Sequence, residues 1–272
     1  MSTGKVENEL SEPVSSRETS FRLAEYNLHG ETSGWGPDRF TPVDPVAELE
    51  RLDADVYVLP ETWVPHSPDE PQSRVLAWAD DTGRSIHLAR SSESTPRRVH
   101  NFHGDSYVSI VTSLPVLEVR DHTLPVHPKD NSEDRNVVAT LLDTGANGKV
   151  WVAGVHMSAR VPHVPAHNLW HLSAFVDQLE RTGYPVVVAG DFNLWGWWVR
   201  AIHRRRYRRA VRGRTWPASR PHSQIDHILI PGNVVADRGL VAAAGFSDHR
   251  AIYADLKVKD LTAAHTSSLS AH

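Results

Sequence analysis

Short apolar runs recur along the chain, separated by polar stretches rich in Gly, Pro, Asp and Asn. Residues 21–28, 56–59, 85–89, 107–112, 137–142, 150–156, 186–189, 225–230 and 251–258 carry Val, Ile, Leu and Ala at strand-like density and are predicted to be strands. Helical spacing replaces that pattern in a few places. Val46, Leu49 and Leu52 share one face of a predicted helix, with Asp44 and Pro45 as its N-cap and first-turn pair. Residues 73–80 show a weaker pattern. Residues 166–183 show the best one, with Leu169, Leu172, Phe175, Val176 and Leu179 in register and Gly183 as C-cap. Residues 197–211 are a further candidate helix. Stretches 91–105 and 120–135 read as long polar loops, which in compact domains often carry function. Many strands with fewer helices between them predict two packed sheets with helices outside. Neither a repeat nor a linker interrupts residues 21–259, so one domain is expected there, between polar, aperiodic tails at 1–20 and 260–272.

Composition narrows the chemistry. The 272 residues are 40% hydrophobic and 23% charged, as in ordinary globular proteins, and are ample for a sizeable core. The absence of cysteine excludes disulfides, thiol catalysis and cysteine-bound metals. No stretch approaches the roughly 20 apolar residues of a membrane span, so a cytoplasmic or at most peripheral protein is expected. A formal net charge of −4 gives no global attraction to nucleic acid or acidic lipid, so any such binding needs a local patch. Residues 199–214 supply one, with eight arginines and almost no counter-charge.

Acids, amides and histidines collect at the ends of the predicted strands. Asn27 and His29 follow the first, Glu61 the second, His156 another, and Asp191 and Asn193 follow the flat-apolar run 186–189. Asp226 and His227 lie in one strand, and Asp248 and His249 precede the last. Each alone has an ordinary explanation as a turn cap or solvated charge. At the same ends of many strands they must either repel or share a partner. Asn27, Glu61, Asp191 and Asp248 offer hard oxygen ligands that suit Mg2+ or Mn2+ better than zinc. A cation beside histidines and an acid suits phosphoester hydrolysis, in which the metal neutralises phosphate oxygens and the acid orients water.

The ordered set YNLHG, PET, a DR before an apolar strand, GVHMS, GDFN, QIDHI and SDHRAI resembles the endonuclease/exonuclease/phosphatase superfamily, the deoxyribonuclease I-like fold, from about residue 21 to 258. The resemblance implies an α+β, four-layer αββα sandwich with its site at one edge of the paired sheets. It implies that Asn27 and Glu61 bind metal, Glu61 as the principal Mg2+ ligand, with Asp248 an acid near the metal. Asp191 then orients or activates water, needing only an ordinary carboxylate pKa beside a metal. Asn193 holds a phosphate oxygen, His249 stabilises the transition state, Asp226 orients His249, and His156 acts as general acid in some members. Arg135 falls at a phosphate-binding position, with a solvated loop residue as the alternative. His29 stands where abasic-site nucleases have an acid, which argues against a dedicated abasic endonuclease.

The superfamily resemblance does not choose the phosphoester. Trp195, Trp197 and Trp198 lie among arginines including Arg204, Arg205, Arg208 and Arg209. Arginine with interleaved aromatics suits nucleic acid, where bases stack and guanidinium groups grip phosphates. The same composition suits an anionic phospholipid surface, or a solvated helix whose Trp198 and Ile202 face the core. Residues 214–230 also resemble bacterial members that act on envelope lipids, but those carry N-terminal spans and this chain shows none. A Mg2+-dependent nuclease, with Mn2+ as substitute cation, is therefore the expectation, against a lipid or small-molecule phosphodiesterase and a non-catalytic nucleic-acid or membrane binder. His163, His167 and His171, spaced by four, admit either a separate zinc site or a solvated helix face.

Overall fold

The apolar runs pair into two sheets that bury their facing sides against each other and their outer sides under helices. The computed structural model describes residues 20–70, 72–92, 104–125, 127, 134–145, 148–159, 163–202 and 206–259. The chain order begins β1 (Ser20–Glu25), α1 (Val46–Leu52), β2 (Val56–Pro65), α2 (Arg74–Asp81), β3 (Ser85–Ser92), β4 (Gly104–Thr112), β5 (Val116–Leu124) and β6 (Arg135–Asp143). It continues with β7 (Lys149–His156), α3 (His163–Glu180), β8 (Val186–Asp191), α4 (Gly196–Ile202), β9 (Tyr207–Arg209), β10 (Asp226–Pro231), β11 (Val234–Val241) and β12 (Ile252–Val258). One sheet runs β11-β12-β1-β2-β4-β3 and the other β5-β6-β7-β8-β10-β9. Both are mixed. β1 and β2 are parallel in the first, β7 and β8 in the second, and the other pairings are antiparallel.

Three apolar layers hold the sandwich. Leu23, Val58, Ile110, Val152, Ala189 and Ile228 belong to the core between the sheets. Trp151, Leu169, Phe175 and Val188 pack α3 onto the second sheet, and Leu49, Leu52, Tyr57, Trp78 and Val111 pack α1 and α2 onto the first. The five apolar residues read from the sequence as the face of α3 are all buried in that outer layer. Asp44 Oδ1 accepts from the Val46 N–H at 3.0 Å, the first-turn contact expected of it. None of the described helices is long and apolar enough to cross a membrane.

Several expectations need correction. β5, β9 and β11 were not anticipated. β5 is mostly exposed and polar, so it lacks the apolar alternation of a half-buried strand, and it takes up the first part of the expected 120–135 loop. β9 is three residues long, and β11 carries an irregular register between Ala236 and Arg238. The expected helix over 197–211 stops at Ile202, and Tyr207–Arg209 pair with β10 instead. α3 begins at His163, with Pro165 in its first turn, where a missing N–H costs no helical bond. Of the expected tails at 1–20 and 260–272, residues 1–19 and 260–272 lie outside the described residues, and Ser20 opens β1.

Gly190 couples the fold to the site. Its φ is +145°, and a Cβ there would lie 1.9 Å from the Val155 carbonyl oxygen. Gly190→Ala is expected to cost at least about 3 kcal/mol of unfolding free energy. Urea denaturation of the two proteins measures it, and a difference under 1 kcal/mol would show that the strand relaxes around the methyl group.

Candidate active site

At one edge of the sandwich, β1 and β2 leave the first sheet and β7 and β8 leave the second, while β10 and β12 enter. The register aligns His156 with Asp191 across the parallel pair, and Asp191 with Asp226 across the antiparallel one. Three adjacent strands of the second sheet therefore each offer a polar residue at one level. The first sheet meets them through Asn27, Glu61, Asp248 and His249.

Local backbone features aim these side chains. The β2–β4 register is interrupted between Leu59 and Thr62, and Glu61 within the interruption has φ +58°. Such an irregularity in a strand turns a side chain out of its alternating position. Asn193 also has positive φ, +50°; its N–H donates to Asp191 Oδ1 at 2.8 Å and its Nδ2 donates to the Met157 carbonyl at 2.9 Å. Phe192 between them is fully buried in the core. Ser247 Oγ donates to the Asn27 carbonyl at 2.6 Å and accepts from the His249 N–H at 3.1 Å, tying the exit of β1 to the entry of β12.

The polar contacts cross from sheet to sheet. Asn27 Nδ2 donates to Asp191 Oδ2 at 3.1 Å and to Glu61 Oε1 at 3.3 Å, while its Oδ1 accepts from the His29 N–H at 2.9 Å. Asn27 thus clamps two carboxylates together with its nitrogen, and its Oδ1 keeps a second lone pair for the cation that the resemblance implies. His249 Nδ1 lies 3.0 Å from both Asp226 oxygens, and its Nε2 lies 3.8 Å from Asp191 Oδ2 and 3.9 Å from Asp248 Oδ1. His156 Nε2 lies 3.8 Å from Asp191 Oδ2 and 4.0 Å from Glu61 Oε1. His29 Nε2 approaches Asp248 Oδ1 at 4.0 Å.

Burial and neighbouring charge set the protonation states. Burial and the charge of Asp226 push Asp191 up to about 7, and a cation beside it would favour the ionised form. Burial disfavours the charged form of His249, but Asp226, Asp191 and Asp248 outweigh it and raise the ring well above its usual value, so it is an imidazolium at neutral pH. Burial, then the charge of Arg135, lower His156 to about 3. That favours a neutral ring with one N–H to donate.

Oxygen donors of this kind fit a hard divalent cation. Asp248 Oδ1 is buried with no hydrogen bond, and Glu61 and Asp191 turn carboxylate oxygens into the same cluster. An orphaned buried oxygen is costly unless a cation or solvent meets it. Asp191, Asp226 and His249 bring ligand atoms within 4.8 Å of one another. Both Asp226 oxygens are nevertheless engaged by His249, so Asp226 acts as that ring's partner, and Glu61 and Asp248 are the better ligands.

The remaining expected site residues divide. Arg135 reaches the cluster, since its charge acts on His156, and its Nη1 donates to the Ser91 carbonyl at 3.0 Å. Trp195 is 55% exposed two residues after Asn193. Arg208 is not brought to the cluster: it pairs with Ile230, roughly 13 Å along β10 from Asp226, and donates to the Val234 carbonyl. Arg209 donates to Gln224, and Arg206 pairs with Asp177 and Glu180 of α3. Arg204 and Arg205 lie outside the described residues.

Sequence reasoning missed Glu25, Ser247 and Trp216. Glu25 is fully buried, neither carboxylate oxygen has a hydrogen bond, and burial with the charges of Asp226 and Asp191 raises its pKa well above the usual range. An acid two positions before Asn27, and so on the same side of an extended strand, was the available signal. Trp216 Nε1 donates to Asp248 Oδ2 at 3.4 Å from a segment with no sequence periodicity.

Solved structures share this fold at low identity. An endonuclease/exonuclease/phosphatase from Beutenbergia cavernae DSM 12333 is 19% identical with a TM-score of 0.70, over 89% of this chain and 72% of that one. The human Nocturnin catalytic domain, with bound sulfate, is 12% identical with a TM-score of 0.65, over 89% and 94%. TDP2 of D. rerio, complexed with a single-strand DNA product, is 14% identical with a TM-score of 0.60, over 89% and 100%. No curated protein matches the chain. The sequence profile of the Endonuclease/Exonuclease/phosphatase family matches residues 25–249, nearly the whole sandwich and every cluster residue from Glu25 to His249. With its two mixed sheets and the shared edge of acids, amides and histidines, this chain belongs to the endonuclease/exonuclease/phosphatase family, whose members are hydrolytic phosphoesterases.

Proposed function

We propose that the protein is a Mg2+-dependent phosphodiesterase that cleaves nucleic acid by in-line attack of water on phosphorus. The observation that carries the hydrolytic part is the pairing of Asp226 and His249 beside the Asn27-clamped carboxylates of Glu61 and Asp191. Asp191, ionised, accepts a proton from water and orients it. His249, charged and fixed through Nδ1, turns Nε2 toward the cluster and stabilises negative charge developing on the phosphoryl oxygens. Asn193, its backbone braced on Asp191 and one amide hydrogen given to the Met157 carbonyl, keeps a second amide hydrogen to hold a phosphate oxygen. His156 donates its N–H while staying neutral. A divalent cation held by Glu61 and Asp248 would supply further charge neutralisation at the phosphate.

Support for nucleic acid over other phosphoesters comes from Trp195, exposed beside the catalytic turn, and Trp197, 61% exposed on α4 and stacked on Trp198 at 4.5 Å. Exposed rings next to a phosphate site offer bases a stacking surface. TDP2, a structure of similar fold, was solved with a single-strand DNA product. The arginine segment contributes less than its composition suggested, because Arg206 is neutralised by α3 and Arg208 and Arg209 bind the protein itself.

Single-stranded DNA, RNA, plasmid, sphingomyelin vesicles and bis-p-nitrophenyl phosphate, each with Mg2+ or Mn2+, test the reading. Nucleic acid is expected to be cut fastest, and Trp195→Ala to raise KM for single strands about tenfold while leaving the small diester unaffected. Turnover of sphingomyelin vesicles alone would transfer the aromatic surface to a lipid substrate.

A further inference from the structure

Away from the catalytic edge, three histidines gather between α3 and the segment that follows β5. His167 and His171 are one helical turn apart, and their ring centres are 4.7 Å from each other. His127 approaches His167 at 5.4 Å between ring centres. A zinc–nitrogen bond of about 2.0–2.1 Å and tetrahedral angles put the centres of two imidazoles on one zinc about 5 Å apart. The two separations bracket that value, although the ring nitrogens as they stand do not converge as the ligand atoms of the catalytic cluster do. The rings stand edge to face, at 90° and 70°, so bringing one nitrogen from each to a common point requires side-chain rotation.

Pro125, two residues before His127, is tied to the helix that bears the other two. Asn168, buried between His167 and Leu169, donates from Nδ2 to the Pro125 carbonyl at 3.3 Å, and its Oδ1 accepts from the Ser158 N–H at 3.1 Å. Leu124, just before, is fully buried against the α3 layer. A buried amide that ties a ligand-bearing segment to its partner helix is the kind of outer support that metal sites use to orient their ligands. His167 is also lowered below the usual imidazole range by burial and by the charges of His171 and His127, and metal binding needs the neutral ring.

We propose that His127, His167 and His171 form a binding site for a zinc-class transition-metal ion, separate from the oxygen-rich catalytic cluster. Three imidazoles and a water complete a tetrahedron, and soft-to-borderline nitrogen ligands discriminate against the Mg2+ that the carboxylates favour. The bound ion would staple the segment after β5 to α3. That segment precedes β6, whose first residue, Arg135, acts on catalytic His156.

Zinc binding to the full chain, measured by competition with a chromophoric chelator, decides the matter. The wild-type protein is expected to bind one more zinc per chain than the His167→Gln/His171→Gln double variant, and His127→Ala to weaken that zinc at least about tenfold. Asp191→Asn is expected to retain it, which separates this site from the catalytic cluster. Zinc should also raise the melting temperature of the wild type more than that of the double variant. His127→Ala binding as tightly as the wild type would reduce the feature to an ordinary helical histidine pair and overturn the three-ligand site. An unchanged zinc count in the double variant would overturn it altogether.

Discussion

Asp191→Asn is expected to lower the rate of phosphoester hydrolysis by about 100- to 10,000-fold, the range for loss of a positioned general base. The substitution keeps the shape of the side chain but cannot keep its contacts. One Asp191 oxygen accepts from the Asn193 N–H and the other from Asn27 Nδ2, so an amide in either orientation sets a donor against a donor. Stability should change far less than rate. Asp191 is pushed up to about 7, so above neutral pH the folded protein bears the cost of holding a buried carboxylate ionised, and the amide removes that cost. Catalytic and stabilising demands then pull apart at this position. Steady-state rates on the preferred diester, set beside urea unfolding, measure both. A variant retaining a tenth of the wild-type rate would remove Asp191 from the chemistry.

His249→Gln is expected to cost about 100- to 1,000-fold in kcat, the scale set by losing one preorganised charge-stabilising donor. Asp226→Asn should reproduce much of that loss, because the ring's fixed orientation and its charge both depend on the carboxylate 3.0 Å from Nδ1. Two such residues acting as a unit should be strongly non-additive, so the double variant is expected to fall little below His249→Gln. The pH profile carries an independent check. The imidazolium is favoured in the folded state, so its contribution to stability is fully present below the unfolded value near 6.5 and is lost as pH rises through the raised folded value. Activity that needs this charge falls on the same alkaline limb, while the acid limb follows ionisation of Asp191. In Asp226→Asn the alkaline limb should move to lower pH. An unmoved limb would assign that titration to another group.

The residues themselves explain what could be read in advance. Flat-apolar runs such as 186–189 are buried on both sides, between the inter-sheet core and α3, and such burial leaves an unambiguous pattern. The edge strands answer to hydrogen bonding more than to burial; in β5 Val116, Leu117, Val119 and Leu124 are apolar but only Leu124 is buried, so no inward apolar face marks it. The cluster was legible because its members sit in short motifs at strand ends. What those motifs do to one another was not. Glu25 looks like a solvated strand acid until the second sheet covers it, and the bridge that Asn27 Nδ2 makes between Glu61 and Asp191 exists only once the sheets have packed. Arg206 is hidden for a related reason: the acids that neutralise it are Asp177 and Glu180, remote in sequence and adjacent only after α3 packs.

The link from Asn27 on one sheet to Asp191 on the other makes the cluster a seam rather than a pocket. Neither sheet owns a complete set: one brings Glu61, Asp248 and His249, the other His156, Asp191 and Asp226. A slide of one sheet past the other by a fraction of an ångström would part donors from acceptors while leaving every strand intact. The large side chains buried midway between the sheets, far from any phosphate, therefore act as the spacers that set catalytic alignment, and turnover records how faithfully they hold that gap.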